Sequence, residues 1–212
     1  YRLGDFYEMF FDDALTASRE LEITLTGRDC GQEERAPMCG VPYHACDIYL
    51  NKLIEKGYKV AICEQMEDPK LAKGIVKREV IRIVTPGTNM SQAILDETRN
   101  NYLMCIFGCN DEYGVAVCDI TTGEFRLCHI SSTSKLYDEI NKYSPTEIIG
   151  NGAFLSCDLN FDYMKEKMKI TISEAPSHYF NDDTCEDFIK RQFKVGTIDG
   201  LGIDEQEDML LS

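Results

Sequence analysis

Basic residues are scarce in this 212-residue chain: 22 Lys and Arg stand against 37 Asp and Glu, for a net charge of -15. Sequence-independent affinity for nucleic acid comes from Lys and Arg neutralising phosphates, so this balance argues against a protein that coats DNA or RNA. No run approaches the roughly 20 apolar residues of a membrane span, and no membrane partner is expected. Cys-X-X-Cys spacing is also missing. The ten cysteines stand singly among apolar neighbours, as in Ala61-Ile62-Cys63, Val117-Cys118 and Leu127-Cys128, and so read as reduced thiols of an intracellular protein rather than a disulfide scaffold. His44 with Cys39 and Cys46 falls short of the four paired ligands of a structural zinc site; His44 reads instead as a helix-start residue bonded locally, and no metal is expected. A Gly-X-X-X-X-Gly-Lys-Ser/Thr loop does not occur, so these residues are not expected to hydrolyse ATP. Neither a repeat nor a low-complexity tract is visible. The opening Tyr1-Arg2-Leu3-Gly4 carries neither Met nor a charged leader and reads as a piece excised from a cytosolic protein.

What is present divides in two. Domains of about 100 to 150 residues are typical, and the pattern changes near residue 98, giving expected domains of 1–98 and 99–212. In the first, residues 6–11 crowd aromatics as strands do. A helix is expected from Asp12, capped by Asp12 or Asp13, with Ala14, Leu15, Ser18 and Leu21 as its buried stripe. Residues 23–26 read as a strand, 27–36 as a charged loop, and 43–56 as a helix that Pro42 starts and Gly57 stops. Two further strands are expected at 58–63 and 76–84, the latter bounded by Thr85-Pro86-Gly87.

Past a polar bridge at 95–101, strands at 102–109, 114–121 and 123–131 form an antiparallel meander joined by tight turns. A helix at 133–143, strands at 147–150 and 169–173, and a helix at 183–194 follow. The expected class is α/β with mixed sheets in both domains.

Charge is uneven between the two. Residues 1–98 hold 12 basic and 17 acidic side chains, and residues 99–212 hold 10 and 20, which makes the second domain the poorer partner for DNA. Within the first, Lys70, Lys73, Lys77, Arg78 and Arg82 against Glu79 alone make a basic stretch suited either to phosphates or to protecting a solvated strand edge.

Phe6 and Glu8 stand two apart in the first long strand, so they point to one side and present a flat apolar ring beside an acid. An isolated Phe in an apolar run ordinarily packs in a core, and an isolated Glu is ordinarily a surface carboxylate. Tyr7, Met9 and Phe11 are expected to face inward on the opposite side.

The segment Gly4-Asp5-Phe6-Tyr7-Glu8-Met9-Phe10 resembles the Phe-X-Glu motif of the MutS family of DNA mismatch-repair proteins. The likeness extends to Asp12-Asp13-Ala14, Pro37-Met38-Cys39-Gly40-Val41-Pro42-Tyr43-His44-Ala45, Val60-Ala61-Ile62-Cys63-Glu64-Gln65 and Val84-Thr85-Pro86-Gly87-Thr88. It weakens after Asn101, although Asp119-Ile120-Thr121-Thr122-Gly123-Glu124-Phe125 is similar to the family's RNase H-like connector domain. The resemblance implies that Phe6 stacks on or wedges beside a mispaired base from the minor groove. Unstacking costs a few kcal/mol, and less where pairing is already weak, so such a wedge senses mispairing rather than sequence. It implies that Glu8 bonds the same base. Because the minor groove offers mostly acceptors, either a mispaired base turns a donor toward Glu8 or the acid takes up a proton and donates.

Arg28 is implied as a DNA-backbone contact, and Lys77, Arg78 and Arg82 are candidates by charge. No catalytic residue and no cofactor are implied here; ATP and magnesium would bind a domain beyond these residues. Implied partners are mismatched double-stranded DNA, a MutL-type protein at the connector, and a second copy in a full-length homodimer of cytoplasmic, nucleoid-associated habit. Two other functions compete. An RNase H-like domain with Asp119 on a strand invites a two-metal nuclease reading, but Glu147 and Glu174 fall at strand ends without a motif. The net charge suits a protein-interaction module with no DNA role.

Overall fold

The structure, a computed structural model, describes residues 1–31, 34–67, 74–90 and 100–203. The chain divides into two units, residues 1–94 and 95–212.

In the first unit, β1 (Arg2–Leu3), β2 (Phe6–Phe10), β3 (Thr26–Arg28) and β4 (Ala36–Pro42) form one sheet in the order β1-β2-β4-β3. All its pairs are antiparallel. The helices α1 (Phe11–Leu21) and α2 (Cys46–Glu55) pack on one face of it. Ala14 and Ala17 of α1 are small enough for the helix to lie close on β4, where the Cys39 thiol reaches the Ala14 carbonyl, and Met9, Leu21 and Leu53 fill the remaining space. A second ribbon pairs β5 (Val60–Gln65) with β6 (Arg78–Val84), and Val84 with Val60 and Ile62 packs on Leu50 and Ile54 of α2. The turn after β6 is closed by a reciprocal cap between Thr85 and Thr88.

The second unit has a five-stranded sheet, β11-β10-β7-β8-β9. The meander β7 (Tyr102–Cys109), β8 (Glu112–Asp119) and β9 (Glu124–Ile130) is antiparallel, whereas β10 (Glu147–Gly150) runs parallel to β7, and β11 (Thr171–Glu174) runs parallel to β10. The α/β class therefore holds, with the mixing of strand directions lying in this unit. Helix α3 (Thr133–Tyr143), capped by the Ser132 hydroxyl, buries Leu136 and Ile140. After β10, Asn151 caps the short α4 (Gly152–Leu155), and its side-chain amide also exchanges two 2.9 Å hydrogen bonds with the Gly108 backbone at the end of β7. That turn brings Phe154 down onto Gly150, where a Cβ would overlap the ring. Helices α5 (Phe161–Glu166) and α6 (Asp182–Phe193) complete the unit.

Several expectations are corrected. Helix α1 begins at Phe11, in a left-handed conformation (φ 53°), and has no side-chain cap. Its buried stripe is Ala14, Ala17 and Leu21, while Leu15 is exposed. The strand expected at 23–26 is instead β3, at 26–28, and β4 has no counterpart among the expected elements; its two prolines, Pro37 and Pro42, sit near its ends, where strands tolerate them. Helices α4 and α5, of 4 and 6 residues, are too short for periodicity to reveal. Most of the polar bridge at 95–101 lies outside the described residues.

Candidate nucleic-acid interface

Alternation along β2 places Phe6, Glu8 and Phe10 on the sheet face that no helix among the described residues covers. Tyr7 and Met9 turn to the other, among Leu21, Tyr49, Leu53 and Val60. The expectation fails at Phe11, which lies past the end of the strand and is 63% exposed. Phe6 is 47% exposed. The ring and the acid thus share one side, as expected of residues two apart.

The register explains how the acid is held. Glu8 pairs with Gly40 of β4, and Ala36, farther along β4, pairs with Arg28 of β3. A Cβ at position 40 would stand 3.4 Å from Glu8 Cγ and 3.3 Å from the Tyr7 carbonyl oxygen. Gly40 therefore leaves a gap in which the Glu8 side chain lies across β4 toward β3. There Arg28 Nη1 donates to Glu8 Oε2 at 2.8 Å, and the guanidinium carbon sits 5.8 Å from the Phe10 ring centre.

The strand is also braced from behind. The Tyr7 hydroxyl donates to the Glu64 carboxylate on β5, and burial together with that bond pushes the phenol up to about 12. The Arg2 guanidinium stacks over the Tyr43 ring at 3.8 Å. None of Gly40, Phe10, Arg2 or Glu64 was singled out from the sequence. A glycine within a strand signals close approach of a neighbour, a signal that can be used at Gly40 only once β4 is known to be a strand.

The other basic candidates separate. Arg78 lines, with Leu3, Phe10, Phe11 and Arg28, an apolar-floored concavity beside the exposed face. Its guanidinium is tied to the carbonyl oxygens of Arg2 (3.2 Å) and Val76 (3.0 Å), so it also pins β6 to β1. Lys77 pairs with Glu79 at 2.6 Å, and the same carboxylate raises the lysine above its usual value. Arg82, exposed on β6 opposite Ile62, has no ion-pair partner among the described residues. Lys70 and Lys73 lie outside those residues. The structure pairs Glu8 with Arg28 on the side of β2 that Phe6 shares, and Arg28 and Arg78 line one concavity.

His44 is exposed in the 3-10 turn that leads into α2, edge-on to Tyr43, whereas Cys39 is buried. None of the ten cysteines forms a disulfide, and no group of three metal-ligating side chains occurs among the described residues. In the second unit Asp119 is 1% exposed. One of its oxygens accepts from the Thr121 amide (2.8 Å) and hydroxyl (2.6 Å), the other from the Asn101 amide at 3.2 Å. Burial raises this carboxyl, but the hydrogen bonds outweigh it and hold the group below the ordinary carboxylate value. Asp119 thereby closes the β8–β9 turn and fixes the start of β7. Glu147 is buried on β10, with β7 between it and Asp119, and Glu174 lies at the opposite end of its strand, facing Gly150.

Residues 1–93 match the family described as MutS domain I, and residues 101–212 the family described as MutS domain II. Among curated relatives, the chain is 59% identical over 203 residues to the DNA mismatch repair protein MutS of Lachnoclostridium phytofermentans, covering 96% of this chain and 22% of that protein. It is 55% identical over 207 residues to the protein of that name from Acetivibrio thermocellus, covering 96% and 24%. With the one from Caldanaerobacter subterraneus subsp. tengcongensis it shares 50% over 196 residues, covering 91% and 22%. The chain spans about a quarter of the length of these relatives.

Proposed function

Since the chain belongs to the MutS family and covers its domains I and II, we propose that it is the mismatch-sensing end of a DNA mismatch-repair protein, with residues 1–98 as the sensor and 99–212 as the connector. Phe6 enters the minor groove and stacks on or beside a mispaired base, and Glu8 hydrogen-bonds that base. The observation that carries this reading is the placement of Phe6 and Glu8 together on the face of the first sheet that no helix among the described residues covers, with the ring unburied. An aromatic wedge unstacks a base step at a cost of a few kcal/mol, which falls where pairing is already broken. Discrimination therefore comes from the weakness of the duplex and not from its sequence.

The charge of -15 requires that most of the grip on phosphates come from elsewhere in the full-length protein and from a second copy in a homodimer. The connector relays the state of the sensor to an ATPase domain outside residues 1–212, where ATP and magnesium bind, and offers a surface to a MutL-type partner. No cofactor and no catalytic residue are assigned within these residues. A cytoplasmic, nucleoid-associated protein fits this role, and no helix among the described residues is long and apolar enough to cross a membrane.

A fluorescent adenine analogue beside a mismatch reports unstacking. Full-length protein is expected to raise its emission, and Phe6→Leu, which fills space without a flat ring, is expected to abolish the rise. An equal rise with Leu at position 6 overturns the wedge.

A further inference from the structure

The two members of the Glu8–Arg28 pair are unequally placed. The Glu8 side chain is 18% exposed in its gap over Gly40, whereas that of Arg28 is 51% exposed. A guanidinium carries five N–H donors in a fixed fork, and Arg28 gives one bond to Glu8 and makes no other hydrogen bond among the described residues. The Phe10 ring lies 5.8 Å from its guanidinium carbon, so the group stays supported while it trades one anion for another. Resting on the proposed roles of Phe6 and Glu8, we infer that Arg28 is a positioning residue whose contact with a DNA phosphate is conditional on a mismatch. In the free protein it holds the Glu8 carboxylate against the sheet. On mispaired DNA Glu8 turns to the displaced base, and Arg28 exchanges the carboxylate for a backbone phosphate.

The chemistry gives this exchange its selectivity. A matched minor groove presents mostly acceptors, with guanine N2 its one donor group, so a carboxylate released from its cation finds few partners there. Glu8 then keeps its partner, and Arg28 makes no phosphate contact. Where a mispaired base presents a donor, Glu8 is satisfied on the DNA, and a guanidinium bonds phosphate as readily as carboxylate. An arginine that merely grips the backbone would serve matched and mismatched duplexes alike.

The test uses full-length protein and duplexes of one length, matched and singly mismatched, with wild type, Arg28→Gln, Arg28→Lys, Glu8→Gln and the double variant Glu8→Gln/Arg28→Gln. In wild type, the log-log dependence of affinity on salt should be steeper on mismatched DNA by about one phosphate's worth, and Arg28→Gln should remove that difference. Arg28→Gln should lower the mismatched-to-matched affinity ratio about threefold when Glu8 is present and leave it unchanged in the Glu8→Gln background, the non-additivity expected of coupled residues. Arg28→Lys, which keeps the charge and fits the same space, should restore part of the ratio. Equal loss on both duplexes in both backgrounds, with equal salt slopes throughout, overturns the exchange while leaving Phe6 and Glu8 in their roles. A ratio that Glu8→Gln by itself does not alter overturns the role of Glu8 and this inference with it.

Discussion

Gly40 of β4 pairs directly with Glu8 of β2, and an added methyl group would stand 3.3 Å from the Tyr7 carbonyl oxygen and 3.4 Å from Glu8 Cγ. The nearer neighbour is backbone and cannot rotate away, so strand β2 must shift by a few tenths of an ångström. Gly40→Ala is expected to cost about 1 kcal/mol, at the low end for overpacking. Chemical denaturation reads this cost. The same variant should lower mismatch preference in the full-length protein, because the shift moves both members of the sensing pair.

Gly150 makes the corresponding contact in the second unit. A Cβ there would overlap the Phe154 ring, which is fully buried, and would also approach the Ile106 carbonyl oxygen at 3.0 Å. Gly150→Ala is expected to destabilise the unit by roughly 2 kcal/mol or more, since a core ring has no solvent into which to move. The midpoint of urea unfolding, followed by tyrosine fluorescence, measures the loss. An unchanged midpoint contradicts the packing described for α4.

Asp119 links stability of the second unit to pH. Its carboxyl is held below the unfolded value of about 3.9, so its contribution is fully present above that value and is lost as pH falls through the folded one. Asp119→Asn keeps the shape but loses the charge that three donors share, and should cost about 1 to 3 kcal/mol at neutral pH. The difference between wild type and variant should shrink below about pH 4. A difference that stays constant through the acid range contradicts the assignment of these bonds to the ionised form.

Residues 1–212 alone are expected to bind mismatched DNA at least about a hundredfold more weakly than the full-length protein, with little preference over matched DNA, because net charge of this sign supplies no phosphate grip. Fluorescence anisotropy at low salt measures both. Tight, mismatch-selective binding by these residues alone contradicts the division of labour proposed above.

Much of this was legible in the sequence where a single local rule governed. The strands at 102–109 and 147–150 and the helix at 133–143 fall where alternation and helical spacing put them, because each buries one face against one core. Phe6 and Glu8 share a side because a strand repeats every two residues, whatever surrounds it. The rest depended on partners distant in the chain. Strand β4 is fixed by β2 and β3 despite its prolines, and Phe11 is exposed because the strand-to-helix corner, with its positive φ, consumes the position alternation would have turned inward. The resemblance implies only a DNA-backbone contact for Arg28; its hold on Glu8 follows from a register that only the folded sheet reveals.

The central claim is that the Phe6 ring senses mispairing, and the most direct measurement is the affinity of full-length Phe6→Ala for mismatched against matched duplex, with its ATP hydrolysis followed in parallel. The account predicts that discrimination falls about tenfold or more, a loss of about 1.4 kcal/mol or more in the preference, while hydrolysis in the absence of DNA is unchanged. Discrimination equal to that of the wild type contradicts it.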